Sequence, residues 1–600
     1  MNNNFQHTLR KKSTSLTTLC ALSLVGALSG IAPLAHSQGF GTVTPGGVQP
    51  NLDQRLPPKA TEKPEYDIPS VPERPLGEDE GFKVVVKHFQ LEGVEEVPGT
   101  GIDQRKINLM LEEIRSSQPE GFTIGQLQAV ARRVTQYYRQ NGLILALAFV
   151  PKQQIRDGVV TISVLPGKLG QLSTANNTHY SEELMKRPFR NLVGETVQAS
   201  QIEEALLRAD DIPGLDIAGI FRPGKNVGDT ELVLNAVKET PFQFNLYADN
   251  YGVESTGKQR LIAGMTWNNP LGFGDKLTIK GLQTYSPHES TYGVIDYQTQ
   301  LFSPDVVGGI TYSKNAYTVP HSLGFPGVDG TTRIASIYGK YLHTRSRRLN
   351  ITGVLDFSTK HADLDLLQDF PGISFGEDNL TVVAAGVEIN SVDRLLGGGV
   401  NEMAFYYHQG LADFLGSMDK HGDNNSLNNG SGRLVGGNFQ KETFKLNRLQ
   451  LINQTNTLLL RLNGQYSDDR LSSLEQFSMG GPNSVRAYPV SEYIRDKGVF
   501  ASAEWRIDAP GFSDKPAFNG RTWGEVLSFS IFADYAWGRS NDPLLFGQNR
   551  EQDISGVGIG MEFKPANGTY IKIEGATPTS SEDASNNKDP QLWLSAGLEF

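Results

Sequence analysis

From Pro241 to Phe600 apolar and polar residues alternate in short runs with a period of two. That period belongs to strands with one oily face and one wet face. The last ten residues show it most clearly. Leu592, Leu594, Ala596 and Leu598 share one face, Trp593, Ser595, Gly597 and Glu599 share the other, and the chain ends on the aromatic Phe600. Sixteen strands are predicted, starting near 241, 257, 275, 291, 306, 332, 347, 380, 401, 440, 456, 495, 525, 551, 569 and 591. Several joints are short: Ser303-Pro304-Asp305, Arg345-Ser346, Gln454-Thr455 and Ala566-Asn567-Gly568. They fall on alternate positions. The other joints are often long: 317–331, 359–379, 411–439, 469–494 and 577–590. Short turns on one rim and long loops on the other predict a transmembrane β-barrel over 240–600. The joint at 509–524 breaks the rule, being too long for the short-turn rim.

Before Pro241 the period changes. Residues 81–168 predict a small α+β module. Lys83–Phe89 reads as a strand, and Asp103–Ser116 as a helix with Ile107, Met110, Leu111 and Ile114 on one face. Thr123 N-caps a second helix with an apolar face of Leu127, Val130, Ala131, Val134 and Tyr138, stopped by Asn141-Gly142. Strands Leu143–Val150 and Val159–Leu165 follow. Residues 169–239 repeat that order. A strand near Gly170–Ser173 precedes a helix over 181–192 and a second helix opened by Ser200-Gln201-Ile202-Glu203 as a capping box. Strands Asp216–Phe221 and Thr230–Val237 close the unit. The fold class is therefore mainly β, a 16-stranded barrel preceded by two α+β modules. With the modules leading into the first strand, the short-turn rim and both chain ends share one side of the membrane.

The N-terminal part has two further segments. Residues 1–37 read as a signal peptide, with basic Arg10, Lys11 and Lys12, an apolar run from about Leu19 to Leu34, and Ala35-His36-Ser37 before Gln38. Residues 38–80 form a Pro-rich arm in which Asn51–Leu56 is the one helical stretch, a possible plug segment. The single cysteine, Cys20, lies inside the leader, so a mature chain has neither disulfide nor thiolate metal site. The formal net charge of −11 gives no support for nucleic-acid binding. No H-E-x-x-H or G-x-S-x-G occurs, and the ten histidines lack ligand spacing. No catalytic residue, cofactor or metal site is expected. Gly556-Val557-Gly558-Ile559-Gly560 alternates along a strand and does not open a helix, so it reads as barrel packing rather than a nucleotide loop.

Two motifs stand out against this frame. Loop 469–494 contains Gly480-Gly481-Pro482-Asn483-Ser484-Val485-Arg486-Ala487-Tyr488, and a later strand contains Phe532-Ala533-Asp534-Tyr535-Ala536. They resemble the paired signatures of the Omp85 superfamily, V-R-G-[YF] in the sixth outer loop and F-x-D-x-G on a strand. Asp249-Asn250-Tyr251-Gly252 with Gly257, Asn269-Pro270-Leu271-Gly272-Phe273-Gly274-Asp275, and Phe149–Gly167 resemble that superfamily's TpsB branch, the two-partner secretion transporters. The likeness spans about 80–600. Ala487 and Ala536 stand where the family pattern has glycine.

The resemblance implies an outer-membrane barrel with two periplasmic POTRA modules. It implies a loop folded back into the pore, where Arg486 meets Asp534 as a bidentate pair, with Val485, Ala487, Tyr488 and Phe532 around them. It further implies a partner, a TpsA-type exoprotein with an N-terminal secretion domain, caught by strand addition at a module edge. The candidate segments for that are Leu143–Val150 (Leu143, Leu145, Leu147 and Phe149) and Asp216–Phe221 (Ile217 and Ile220). Outer-membrane lipid and the barrel-assembly machinery, engaged through Phe600, are the other expected partners. Two alternatives stay open: an assembly factor that inserts other barrels, against which the short two-module array argues, and a barrel enzyme or passive porin, which has no need of leading modules.

Overall fold

The computed structural model describes residues 44–50, 66–67, 82–93, 97–177, 179–226, 228–285, 290–320, 327–366, 374–420, 435–541 and 549–600. The leader expected at 1–37 and the stretch Asn51–Leu56 lie outside these residues.

In the arm, Tyr66–Asp67 forms the two-residue strand β1. The first module then runs β2 (His88–Glu92), α1 (Gln104–Ser117), α2 (Ile124–Gln140), β3 (Leu147–Phe149) and β4 (Val159–Leu165). Its sheet order is β2-β4-β3, with β2 parallel and β3 antiparallel to β4. Asp103 caps α1 by accepting from the Arg105 N–H. Thr123 and Gln126 form a reciprocal capping box on α2. The apolar stripes of both helices, with Ile107, Leu111, Leu127, Val130, Val134 and Tyr138, bury against Phe89, Val160 and Ile162 of the sheet. The first strand begins later than its apolar run suggests, because Val84 makes only an isolated bridge to Phe122.

The second module repeats the topology: β5 (Lys168–Ala175), α3 (Glu182–Lys186) continued by a 3-10 turn over Arg187–Leu192, α4 (Ala199–Asp210), β6 (Leu215–Pro223) and β7 (Asp229–Glu239). The sheet order is β1-β6-β7-β5, so the arm strand adds parallel to β6, with Tyr66 opposite Gly219 and Asp67 opposite Ile220. The capping box expected at Ser200–Glu203 is corrected. The helix starts at Ala199, the Gln198 N–H donates to Gln201 Oε1, and Glu203 turns outward to pair with Arg347 of a barrel turn.

Sixteen antiparallel strands close the barrel, the last (Gln591–Glu599) pairing with the first (Phe242–Asp249). Every strand start falls within a few residues of its expected place. The largest departure is the eighth strand, which begins at Ser374 rather than near 380. The reason is that the sixth to eighth strands have 18, 18 and 20 residues, well beyond the 9–11 that span a bilayer. Pairing therefore continues through polar sequence that reads as loop. Ile310, Ile337, Leu355, Phe405, Ile531, Ile559 and Leu592 face outward and are at least half exposed, forming the lipid-facing belt. The long joint after Asp508 is a folded cap. Thr522 and Glu525 form a capping box on the short helix Trp523–Val526, Trp523 stands edge-on to Phe512 and Phe518, and Arg521 donates to the Lys564 carbonyl.

The seam ends on Phe600. The Phe244 N–H donates to its carbonyl at 2.7 Å, the Phe600 N–H returns a bond at 2.9 Å, and the two rings stack at 5.8 Å. Deleting Phe600 is expected to lower several-fold the yield of folded, heat-modifiable barrel in the membrane. Parental yield would show that the seam closes without it.

Candidate functional site

The loop after the eleventh strand (Asn456–Tyr466) does not project outward. It folds back into the lumen through a small hairpin, Phe477–Met479 with Tyr493–Arg495. At its tip Gly480 and Gly481 have φ of +99° and +96°, and a Cβ on Gly480 would sit 2.3 Å from the Pro489 carbonyl. Only glycine fits such a backbone at that distance. The turn is then tied by the Gly481 N–H to the carbonyls of Val485 and Tyr488.

This places Arg486 1% exposed inside the barrel. Its Nε donates to Asp534 Oδ2 at 2.8 Å and its Nη2 to Asp534 Oδ1 at 2.9 Å, the expected bidentate pair. The Arg486 N–H adds a bond to Oδ2 at 3.2 Å. Two more carboxylates converge on Nη1, Glu504 at 2.7 Å and Glu574 at 2.8 Å. The guanidinium lies 3.2 Å from the centre of the Phe532 ring. Three acids around one cation would repel, but Arg506 pairs with Glu504 and Lys572 with Glu574, so each additional acid has its own cation. A buried charge cluster keeps its geometry only when each member is matched in this way.

Alternation sets these directions. Phe532, Asp534 and Ala536 share the lumen face of the strand Leu527–Arg539, Glu504 faces inward from Lys497–Asp508, and Glu574 from Thr569–Pro578. The glycine run of the strand Glu551–Phe563 supplies the space. A Cβ on Gly556 would lie 2.3 Å from the Ala487 methyl, and one on Gly558 2.4 Å from the Phe532 ring. Ala487 and Ala536 are fully buried, and neither has positive φ, so alanine serves at both positions. Val485 and Tyr488 pack in the same cluster, and the Tyr488 hydroxyl donates to the Glu582 carbonyl of the last outer loop.

Two further contacts complete the site, the second made by Tyr251 of the Asp249–Gly252 motif. Trp593 on the final strand donates its indole N–H to the Arg486 carbonyl at 2.7 Å. Tyr251 stands edge-on to Trp593 at 5.8 Å, while Asp249 takes both a bidentate bond from Arg260 and the Tyr251 N–H. The first hairpin, the closing strand and the loop tip thus form one packed unit. Beside it a cavity of about 970 Å³, lined among others by Tyr251, Tyr292, Asp296 and Phe500, remains in the lumen.

The module segments fall differently. Leu143, Leu145 and Ile217 point into module cores, whereas Leu147 and Ile220 are half-buried and Phe149 is exposed. β3 is an edge strand, with Leu147–Phe149 alone in regular pairing. The outer edge of β6 is paired with β1 at Gly219 and Ile220, so only part of it is open. The second module is also latched to the short-turn rim. Arg345 pairs bidentately with Asp211 at 2.7 Å for both bonds, Arg347 pairs with Glu203, Arg208 with Asp305, and Asn269 Nδ2 donates to the His179 carbonyl. These pairs are half-buried at the surface and each contributes on the order of 1 kcal/mol, so the latch is reversible. Replacing Arg345 and Arg347 by alanine is expected to speed amide-hydrogen exchange in α4 while leaving exchange in the barrel unchanged. Equal exchange in α4 would show that the pairs do not hold the module.

Residues 228–563 match the family described as haemolysin secretion/activation protein ShlB/FhaC/HecB, and residues 84–167 match the ShlB-type POTRA domain. The heme/hemopexin transporter protein HuxB of Haemophilus influenzae is 24% identical over 487 residues, covering 79% of this chain and 80% of that protein. The outer membrane transporter CdiB of Escherichia coli O6:K15:H31 is 24% identical, covering 69% and 72%. The solved structure of CdiB from Escherichia coli superposes with a TM-score of 0.62 at 20% identity, covering 88% of this chain and 93% of that one.

Proposed function

The chain belongs to the haemolysin secretion/activation family ShlB/FhaC/HecB, and from that premise we propose that it carries one large TpsA-type exoprotein through its own barrel. It is an outer-membrane transporter with its POTRA modules in the periplasm. The observation that carries the gating part of the proposal is the buried Arg486 cluster, which seats a loop inside the lumen rather than above it. A seat of matched charges holds one geometry while intact and gives it up once any member is drawn away.

The modules would catch an unfolded, strand-forming N-terminal secretion domain by main-chain pairing. The part of β6 beyond Gly219–Ile220 is an open edge suited to this, and Phe149 offers an exposed ring on β3, whose Ala148 main-chain groups are bonded to Thr135. Release of the Arg486 loop would enlarge the lumen along the cavity beside it. Folding of the cargo outside the cell would supply the drive, since no ATPase motif is present in the sequence. The test is co-expression with the large exported protein encoded beside this gene, in a host lacking such systems. Cargo in the medium or at the surface is the expected result. Retention of cargo in the periplasm, with broad loss of other barrels on depletion of this protein, would favour an assembly factor instead.

A further inference from the structure

The pore loop is fastened at its root as well as at its tip. A 3-10 turn, Ser473–Glu475, precedes the hairpin. Glu475 is 1% exposed and carries a carboxylate into the lumen, where two lysines of the barrel wall meet it. Lys360 Nζ donates to Oε1 at 2.5 Å. Lys441 Nζ lies 2.6 Å from Oε2 as a second ion pair. It also donates to the Glu475 carbonyl at 3.1 Å, which Gln465 Nε2 reaches as well at 2.8 Å. Lys360 stands on the strand Leu349–Leu366 and Lys441 on Gln440–Asn453, the seventh and tenth of the barrel. The Arg486 cluster uses Glu504, Asp534 and Glu574, on the twelfth, thirteenth and fifteenth. The loop is therefore tied to two different arcs of the wall.

The same turn seats the N-terminal arm. The Gly46 N–H donates to Ser473 Oγ at 3.4 Å, and a Cβ on Gly46 would lie 1.7 Å from the Ser473 carbonyl oxygen, so the approach needs glycine. Val48 is buried in a cluster with Tyr317, Val319, Leu364 and the loop residues Leu474 and Val490. Asn315 Nδ2 donates to the Val48 carbonyl. Ser472 donates its hydroxyl to Asp378 on the wall. Arm and loop root form one body, held to the wall by apolar packing and hydrogen bonds, with the Glu475 carboxylate supplying its ion pairs to the wall.

We propose that Glu475, gripped by Lys360 and Lys441, is a second positioning anchor of the pore loop, independent of Arg486, and that it holds loop and arm together as one stopper. This rests on the reading that the loop must move for transport. Removing one partner of a buried ion pair is costly because the other is left unmatched. That cost falls on the loop, since the lysines sit on paired strands and Glu475 does not. Opening of the pore in the absence of cargo should therefore become easier, while the barrel stays folded.

The test is single-channel conductance of the purified full chain in planar bilayers of phosphatidylcholine, without cargo. Glu475→Gln, and separately Lys360→Gln with Lys441→Gln, are expected to raise the open fraction on the order of tenfold or more. Heat-modifiability should be unchanged, and Glu475→Asp, which keeps the charge, should return toward the parental trace. Arg486→Ala recorded alongside keeps the two ideas apart. Combined with Glu475→Gln, it should multiply the open fraction if the anchors are independent. Parental conductance in both the Glu475→Gln and the double-lysine variants overturns the anchor, even where Arg486→Ala opens the pore. Loss of the folded barrel in both also overturns it, since the residues would then serve the wall and not the loop. Parental conductance and secretion in Arg486→Ala would instead overturn the reading of the loop as a gate.

Discussion

Arg486→Ala is expected to leave the barrel inserted and heat-modifiable while secretion of the partner exoprotein falls below detection. The three hydrogen bonds to the Asp534 carboxylate described above all come from Arg486. Removing the guanidinium leaves Asp534, Glu504 and Glu574 close together, with Arg506 and Lys572 matching only the last two. Breaking a buried pair by removing one partner costs ~3–5 kcal/mol. The strands that carry the acids are held by continuous ladders on both sides. The loop has its short hairpin and side-chain contacts to the wall and the last outer loop, but no continuous ladder. The energetic penalty is therefore relieved by movement of the loop and not by unfolding of the wall. Arg486→Lys keeps the charge but not the planar fork, so it should secrete at a level between the two. Whole-cell fractionation with probing of the medium reads all three. Normal secretion by Arg486→Ala would remove the proposed role.

Gly556→Val should give the same phenotype from the strand beside Asp534, where Gly556 is the direct cross-strand neighbour of that acid. Even a single added carbon at Gly556 would lie 2.3 Å from the Ala487 methyl and 3.0 Å from the Thr577 carbonyl. Overpacking of this kind costs roughly 1–3 kcal/mol, and here it acts on the residue next to Arg486. The loop tip should be displaced and secretion should fall at least tenfold, about what 1.4 kcal/mol corresponds to. Two controls separate this from general damage. A Cβ on Gly281, in another strand of the same barrel, meets nothing within 4 Å, so Gly281→Ala should secrete normally. Gly556→Ala should be rescued by Ala487→Gly, which moves the methyl from loop to wall and restores the family's glycine after the arginine. Failure of that rescue, with the barrel folded, would mean that the two positions do not meet during transport.

The wall was readable because each strand repeats one simple rule, and its polar and apolar faces are set by the lumen and the lipid. The rule fails where the lipid ends. Above the membrane, Ser374–Asn379 continues the eighth strand although it is polar, because cross-strand pairing with Asp365 to His361 suffices there. Arg486 and Asp534 could be singled out by their motifs. Glu504, Glu574 and Trp593 could not, since an inward acid or indole on one strand looks like any other lumen residue. What brings them to Arg486 is the stagger of strands around the closed barrel, which no local pattern encodes. In the modules the apolar faces of the helices were legible. The strand candidates Leu143, Leu145 and Ile217 proved to be core residues: Leu143 and Leu145 lie in the buried turn before β3, whose apolar run reads like a strand, and Ile217 is on the covered face of β6. The pairing of β1 with β6 involves two arm residues and leaves no periodicity to detect.

The central claim, that cargo passes through the lumen beside the Arg486 loop, is tested most directly by site-specific photo-crosslinking during secretion. A photoreactive residue at Tyr292, which lines the lumen cavity, is compared with one at Ile310, which is 56% exposed on the lipid face. The exoprotein is stalled in transit by a folded domain at its C-terminus. Cross-links to the exoprotein from Tyr292 and none from Ile310 are the predicted result. Secretion with no cross-link from Tyr292, or with cross-links from Ile310 alone, would contradict passage through the barrel.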